Sequence, residues 1–417
     1  MPARALLAIS FAALLWNCAL PVSRNLEERQ PPAKSAFDPA LVRRGAELAA
    51  VGDCAGCHTR QGSAPFAGGV PLRTPFGTIY GTNITPEPET GLGRWTQADF
   101  DRAMREGLAP DGRHLYPAFP YPYFRHLTDE DLRALYAFVM TRDPVRSPPP
   151  RNDLAFPFNI RPLVAGWNQL YLGKDDVPRD AAKGTEWNRG AYLVHGLGHC
   201  GACHSPRTAL GAEKRGEALS GGEAEDWYAP ALNRASPSPL AWTKEDLVTY
   251  LRTGIAEHHA IAAGPMQTVI AQLSGASEAD LAAIAGYIVS MMDGAGARPL
   301  GAMPEAPQDE RTAMGRRIYE ETCASCHDSG RTLSSGGALQ LPLAVALHDP
   351  DPRSLIHLIL EGVQPPPGEP GRSMPGYAGA LTKEQVVALL AYLRTLAAEA
   401  PPWKDLDPAV ERAGAGR

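Results

Sequence analysis

Three segments far apart in the chain share one rhythm of polar and apolar positions. TDEDLRALYAFVM from Thr128, SEADLAAIAGYIV from Ser277 and TKEQVVALLAYLR from Thr382 each open on Ser or Thr and carry Asp or Gln three residues later. Apolar side chains then recur at helical spacing, so each reads as an amphipathic helix with a capping-box start. Ten residues after each cap stands an aromatic: Phe138, Tyr287, Tyr392. Far upstream of each lies a short amphipathic segment holding a glycine, Gly45 in RRGAELAAVGD, Gly190 in NRGAYLVHGLGH and Gly315 in AMGRRIYEET. A glycine on one helix opposite an aromatic on another permits a close crossing, so the first and last helices of each repeat are expected to touch. Between these ends DFDRAMREG, DLVTYLRTG and SLIHLILEG predict a further helix closing at Gly107, Gly254 and Gly362. The pattern is an all-α chain with three internal repeats.

Proline separates the repeats. The 40 prolines cluster in RDPVRSPPPRND (142–153), ARPLGAMPEAPQDE (297–310) and VQPPPGEPGR (363–372). Such runs cannot lie inside helices or central strands. The expected division is an N-terminal segment over 1–30, a first domain over 37–150, a linker over 151–185, a second domain over 186–296, a Pro-rich linker over 297–310, a third domain over 311–400 and a tail over 401–417. A chain of 417 residues is long enough for several cores.

Composition adds little except by exclusion. With 44% hydrophobic and 21% charged residues most of the chain should fold in water, and a net charge of −6 without a dense Lys/Arg run argues against a nucleic-acid partner. The N-terminus places one arginine before an apolar run from Ala5 to Leu20, as in a secretory signal. The run lacks a small-x-small cleavage site and falls short of a comfortable membrane span, so an uncleaved anchor is the alternative. Cys18 within it reads as incidental. On either reading the rest of the chain is exported.

Cysteine decides the chemistry. The six cysteines outside the N-terminal segment fall into three frames, CAGCH (Cys54, Cys57, His58), CGACH (Cys200, Cys203, His204) and CASCH (Cys323, Cys326, His327). A lone Cys-x-x-Cys could be a redox dithiol or half a zinc site, but the histidine that follows marks c-type haem attachment. Two thiols form thioethers to the haem vinyl groups, and the adjacent imidazole becomes the proximal iron ligand. Three frames with no cysteine left over leave little room for chance, and each repeat supplies too few ligands for zinc. Three covalent haems c, with iron, are expected.

The far side of each haem follows from a register. Twelve residues beyond Gly254 stands Met266, and twelve beyond Gly362 stands Met374, both expected on loops beside prolines. Each is placed to be the sixth iron ligand, which would raise that haem's potential, against the plainer role of a pliable packing residue. Twelve residues beyond Gly107 stands Phe119, which cannot ligate iron. The sixth ligand of haem 1 is therefore open, with His114, His126 and Met104 as substitutes. Met140 reads as packing, and His195, His199, His258, His259, His348 and His357 as exposed or packing residues.

The Gly–aromatic helix pairing resembles the core of the cytochrome c fold. The segments PFGTIYGTNITPEPETGLGRWTQADFDRAMREG, LYPAFPY and EWNRGAYLVHGLGHCGACHSPR resemble the triple-haem cytochrome c subunits of bacterial membrane-bound dehydrogenases, over residues 37 to 400. The resemblance implies three tandem cytochrome c-like domains, each with one covalent haem c. It also implies an electron conduit from a partner dehydrogenase to membrane quinone or a terminal oxidase, on the periplasmic side of the inner membrane. Family partners include quinoprotein alcohol dehydrogenases, flavoprotein gluconate- or sorbitol-type dehydrogenases, and molybdenum hydroxylases acting on aldehydes or N-heterocycles such as nicotinate and isoquinoline. The alcohol-dehydrogenase branch usually has Met where Phe119 stands. Phe119 and the linker FPFNIRPLVAGWN (156–168) look more like the molybdenum branch, whose molybdopterin enzyme works with an iron-sulfur subunit.

No substrate site of the chain's own is evident: there is no nucleotide fingerprint and no hydrolase frame. The acidic pair Glu87/Glu89 reads as solvated loop. The competing readings are a haem enzyme or gas-binding protein working at an open haem 1, and a free periplasmic shuttle.

Overall fold

The computed structural model describes residues 29–173, 177–296, 309–330, 337–364, 373–397 and 400–415. The N-terminal segment over 1–30, the linker over 297–310 and the proline run over 363–372 lie largely outside these residues. Two compact units form, the first ending at Asp176 and the second beginning at Val177, with Ala50–Asp53 counted with the second.

In chain order the first unit carries α1 (Pro39–Val51), α2 (Cys54–His58), β1 (Pro71–Thr74), β2 (Gly77–Tyr80), α3 (Gln97–Glu106), α4 (Tyr121–Phe124), α5 (Asp129–Met140), β3 (Asp153–Leu154) and α6 (Leu163–Tyr171). The second holds α7 (Gly184–His195), α8 (Gly201–His204), β4 (Gly222–Ala224), β5 (Trp227–Ala229), α9 (Lys244–Thr253), β6 (Ile255–Ala256), β7 (Ala260–Ile261), α10 (Pro265–Leu273) and α11 (Glu278–Met291). It continues with α12 (Glu310–Thr322), α13 (Ala324–His327), α14 (Val345–His348), α15 (Arg353–Glu361), α16 (Lys383–Thr395) and α17 (Leu406–Ala415).

The capped helices start where their sequences require. The side-chain oxygens of Thr128, Ser277 and Thr382 accept the backbone N–H of Asp131, Asp280 and Gln385, and at Thr382 the Gln385 side chain returns the bond. Each cap satisfies a donor the helix cannot, a contribution of about 1 kcal/mol. Gly107 and Gly254 close α3 and α9 in the left-handed conformation, where a side chain is strained.

The same helix crossing recurs three times. A Cβ on Gly45, Gly190 or Gly315 would overlap the carbonyl of Ala134, Ala283 or Ala388, and would lie 2.7, 2.7 or 2.8 Å from the Cβ of Phe138, Tyr287 or Tyr392. The two backbones are therefore in contact, and only glycine lets α1 meet α5, α7 meet α11 and α12 meet α16. Buried side chains surround each crossing: Leu48, Leu132 and Leu135 in the first, Leu193, Leu281 and Ile284 in the second, Ile318, Leu389 and Leu390 in the third.

Helices build the cores, but the all-α expectation omits three small antiparallel sheets, β1–β2–β3, β4–β5 and β6–β7. Strands this short carry no alternating signal. The stretches expected as linker and tail are also structured. β3 pairs with β2, and α6 is tied to the first unit where the Tyr121 hydroxyl donates to Asn168 at 2.6 Å. α17 brings Leu406, Ala409, Val410 and Ala413 into the third core beside buried Trp403. Five of the exposed large hydrophobics, Phe156, Phe158, Ile160, Leu163 and Leu170, fall in the stretch around α6. Among the described residues no helix is long and apolar enough to cross a membrane.

Candidate haem sites

Each Cys-x-x-Cys-His frame folds into a single helical turn: α2, α8 and α13 with the preceding Cys200 and Cys323. Residues three apart share one helix face, so the two thiols of each pair point the same way. Burial pushes the Cys200 thiol up to about 12 and raises Cys203 and Cys323, which keeps these sulfurs uncharged.

The histidines show one arrangement in all three places. His58 Nδ1 donates to the Thr82 carbonyl at 2.6 Å, His204 Nδ1 to Pro230 at 2.7 Å and His327 Nδ1 to Leu339 at 2.9 Å. A carbonyl can only accept, so Nδ1 carries the proton and Nε2 presents its lone pair. That is the tautomer and the outer hydrogen bond that an iron-ligating imidazole needs. Burial lowers the pKa of His58 and His204 against the opposing pull of these bonds, so both rings stay neutral. Two thiols and an oriented neutral imidazole fit haem c.

Thr82, Pro230 and Leu339 are the site residues the motifs do not reveal, because each acts through its backbone. Their placement has a cause in sequence nonetheless. A Cβ on Gly81 would overlap the Cys57 carbonyl, and one on Gly222 the Cys203 carbonyl, so glycine admits the extended chain against the haem-binding turn. In the first unit a buried polar network anchors that chain. Asn83 donates to Val145 O at 2.7 Å and to Thr90 Oγ1 at 3.0 Å, and it accepts from the Thr85 N–H at 2.9 Å and hydroxyl at 2.8 Å. Glu87 belongs to the same network. Expected to be solvated, it is 8% exposed and accepts from the Thr90 N–H at 2.6 Å and hydroxyl at 2.7 Å. Burial acts to raise its pKa, but the bonds from Thr90 and Glu89 and the charge of Arg146 prevail, and the carboxyl titrates below its ordinary range.

Beyond Gly107, Gly254 and Gly362 the three registers can be compared in the structure. Leu115 N–H donates to Gly107 O at 2.7 Å, and Ala262 N–H donates to Gly254 O at 2.7 Å. Both donors stand eight residues after the glycine, so Phe119 and Met266 occupy matching places four residues further on. Met266 lies in the first turn of α10 rather than on a loop, because Pro265 suits a helix start. The third repeat differs. Met374 itself pairs with Val363, with N···O distances of 3.0 and 2.8 Å, so residue twelve here is held in an antiparallel bridge. Phe119 lies in the turn before α4, edge-on to Phe124 with ring centroids 5.5 Å apart.

The substitutes for a sixth ligand at the first site are not equivalent. Met104 is buried on α3 in the core, and His126 follows α4 in a turn. His114 pairs with Leu108 on the hairpin that leads to Phe119, and its Nδ1 is buried with no hydrogen-bond partner. Burial lowers its pKa. Of the remaining histidines, His259 and His357 are buried rather than exposed, each stacked on a tryptophan, Trp242 and Trp227 respectively. His195 Nε2 lies 2.7 Å from the Tyr287 hydroxyl, and His348 Nε2 donates to Pro342 O at 2.8 Å, both packing roles.

Fold and site define a c-type cytochrome carrying covalent haem c. A cytochrome c profile matches residues 42–143, and a profile described as cytochrome c oxidase, cbb3-type, subunit III matches residues 310–393. The chain is similar to a nicotinate dehydrogenase subunit of Pseudomonas putida, 44% identical over 391 residues, covering 93% of this chain but 33% of that one. It is similar to the cytochrome c subunit of the quinone-dependent alcohol dehydrogenase of Gluconacetobacter polyoxogenes, 37% identical with 86% of this chain and 81% of that one covered. The gluconate 2-dehydrogenase cytochrome c subunit of Pantoea cypripedii is 37% identical, with 85% of each chain covered. The chain belongs to the family of dehydrogenase cytochrome c subunits. It carries electrons for a dehydrogenase.

Proposed function

We propose that the chain holds three haems c in three domains, 37–150, 186–296 and 311–400, and passes electrons from its partner dehydrogenase toward membrane quinone or a terminal oxidase. The observation that carries this is the threefold recurrence of a Cys-x-x-Cys-His turn whose histidine Nδ1 is tied to a backbone carbonyl. Haem iron supplies reversible one-electron chemistry. The chain anchors each group through Cys54 and Cys57, Cys200 and Cys203, or Cys323 and Cys326, and presents His58, His204 and His327 as proximal ligands. Met266 and Met374 complete the second and third sites. Phe119 leaves the first with another sixth ligand or none, and the buried, unsatisfied Nδ1 favours His114 among the substitutes.

The partner we favour is of molybdenum-hydroxylase type, with an iron-sulfur subunit. Similarity to the nicotinate dehydrogenase relative, at 44%, exceeds that to the alcohol and gluconate relatives, at 37%, and Phe119 points the same way. A quinoprotein or flavoprotein dehydrogenase is the alternative. The N-terminal segment directs the chain across the inner membrane to its outer face.

Haem content per purified chain, measured as pyridine haemochrome, tests the count; two haems per chain would refute it. Cofactor analysis of whatever co-purifies from membranes tests the partner, and bound quinone or flavin in place of molybdopterin would overturn that assignment. Phe119 specifically favours one second reading, a gas-binding or catalytic first haem. Carbon monoxide binding to one haem in three supports that reading, and inertness of every haem ends it.

A further inference from the structure

The hairpin β4–β5 touches the segments that carry His204 and Met266. Its next residue, Pro230, accepts the His204 Nδ1 proton at 2.7 Å. Its Trp227 ring lies directly under Gly264, where an added Cβ would overlap the indole, two residues before Met266. Glu225 and Asp226 at the tip both have positive φ, 48° and 69°, the tight turn that joins a two-residue hairpin.

The hairpin is gripped from outside its own repeat. One face of α15, in the third repeat, lies along it. Arg353 bonds Glu223 at 2.8 Å and approaches Asp226 at 3.7 Å. The Ser354 hydroxyl donates to Tyr228 O at 2.8 Å and accepts the Tyr228 N–H at 3.1 Å. His357 stacks on Trp227, with centroids 4.9 Å apart and planes 18° apart. Its Nδ1 lies 2.7 Å from Glu361 and its Nε2 3.3 Å from Asp226, so a carboxylate flanks the ring at each end. A second tie runs close to both methionines: Gln267, next to Met266, donates to the carbonyl of Gln364, which follows the strand partner of Met374.

We propose that Trp227 and His357 are positioning residues through which the third domain sets the axial ligation of the second haem. The stack holds the indole against Gly264, and the indole in turn fixes the start of α10 and the approach of Met266. A chain that must keep neighbouring potentials in order gains from this link, since the second site reaches its ligand geometry only when the third domain is docked. The proposal rests on the reading of Met266 as a ligand.

The test uses the full-length holoprotein, with spectroelectrochemical titration of its three redox steps and the far-red charge-transfer band of methionine-ligated ferric haem. Loss of one step in the Cys200→Ser, Cys203→Ser variant identifies the second haem without reference to methionine, and Met266→Ala provides an independent assignment. Trp227→Ala should shift that step to lower potential and weaken the band, while Trp227→Phe restores both. His357→Ala should move the same step, and the double variant should shift it no further than Trp227→Ala alone. A His357→Ala protein in which the second-haem step stays in place, or in which all three steps move together, overturns the proposal. An unchanged spectrum in Met266→Ala refutes the ligand reading separately.

Discussion

The hairpins beyond Gly107 and Gly254 share one closing bond and carry different side chains at one register position. Each follows a helix that ends on a left-handed glycine, and each closes through an N–H eight residues on, Leu115 to Gly107 and Ala262 to Gly254. The position four residues past that N–H stands in the same register from the glycine in both. At Met266 that place holds a thioether; at Phe119 it holds a ring that instead packs edge-on against Phe124. On the proposed reading of Met266 as a ligand, the fold sets the position and the occupant sets the potential.

Exchanging the occupants tests that separation. Met266→Phe makes the second site like the first. It should remove one methionine–iron band and lower one potential by a sizeable part of the ~0.8 V that axial ligation spans; a titration in which no step moves would break the equivalence of the two hairpins. The reverse change, Phe119→Met, should create a low-spin, higher-potential haem. Its effect is smaller, because the new side chain enters a place shaped around an aromatic cluster. No change in the spectrum would mean that another ligand already holds the first iron, and His114→Ala, read by the same spectra, would then show whether it is that imidazole.

Two further pairs of changes probe the shared scaffold. Gly45→Ala and Gly190→Ala should each cost about 3 kcal/mol, since either methyl collides with a facing carbonyl, and denaturant melts should show similar losses. A large difference between them would mean that the two crossings are not equivalent. Thr128→Ala and Ser277→Ala, at the caps of α5 and α11, should each cost about 1 kcal/mol and leave every potential in place.

Much of this was legible without the structure because it is local. Caps, helix-ending glycines and the haem frames act over three to five residues, so Thr128, Ser277 and Thr382 begin helices where their side chains dictate. The Gly–aromatic pairs were legible for another reason: they recur at matching places in each repeat, and only glycine tolerates that crossing. What the sequence could not determine is made by backbone and by distance. The carbonyls of Thr82, Pro230 and Leu339 orient His58, His204 and His327 without any side-chain signature. Glu87 reads as a solvated charge until folding places Thr90 over it, and 401–417 reads as a tail until α17 reaches the third core. Trp227 and His357 stand 130 residues apart and belong to different repeats, so no periodicity connects them. Spacing in the sequence determined where the three Cys-x-x-Cys-His turns and the helix caps fall. Only the tertiary structure decided which carbonyls, rings and ion pairs hold them in place, because a long-range contact becomes fixed once both segments share one core.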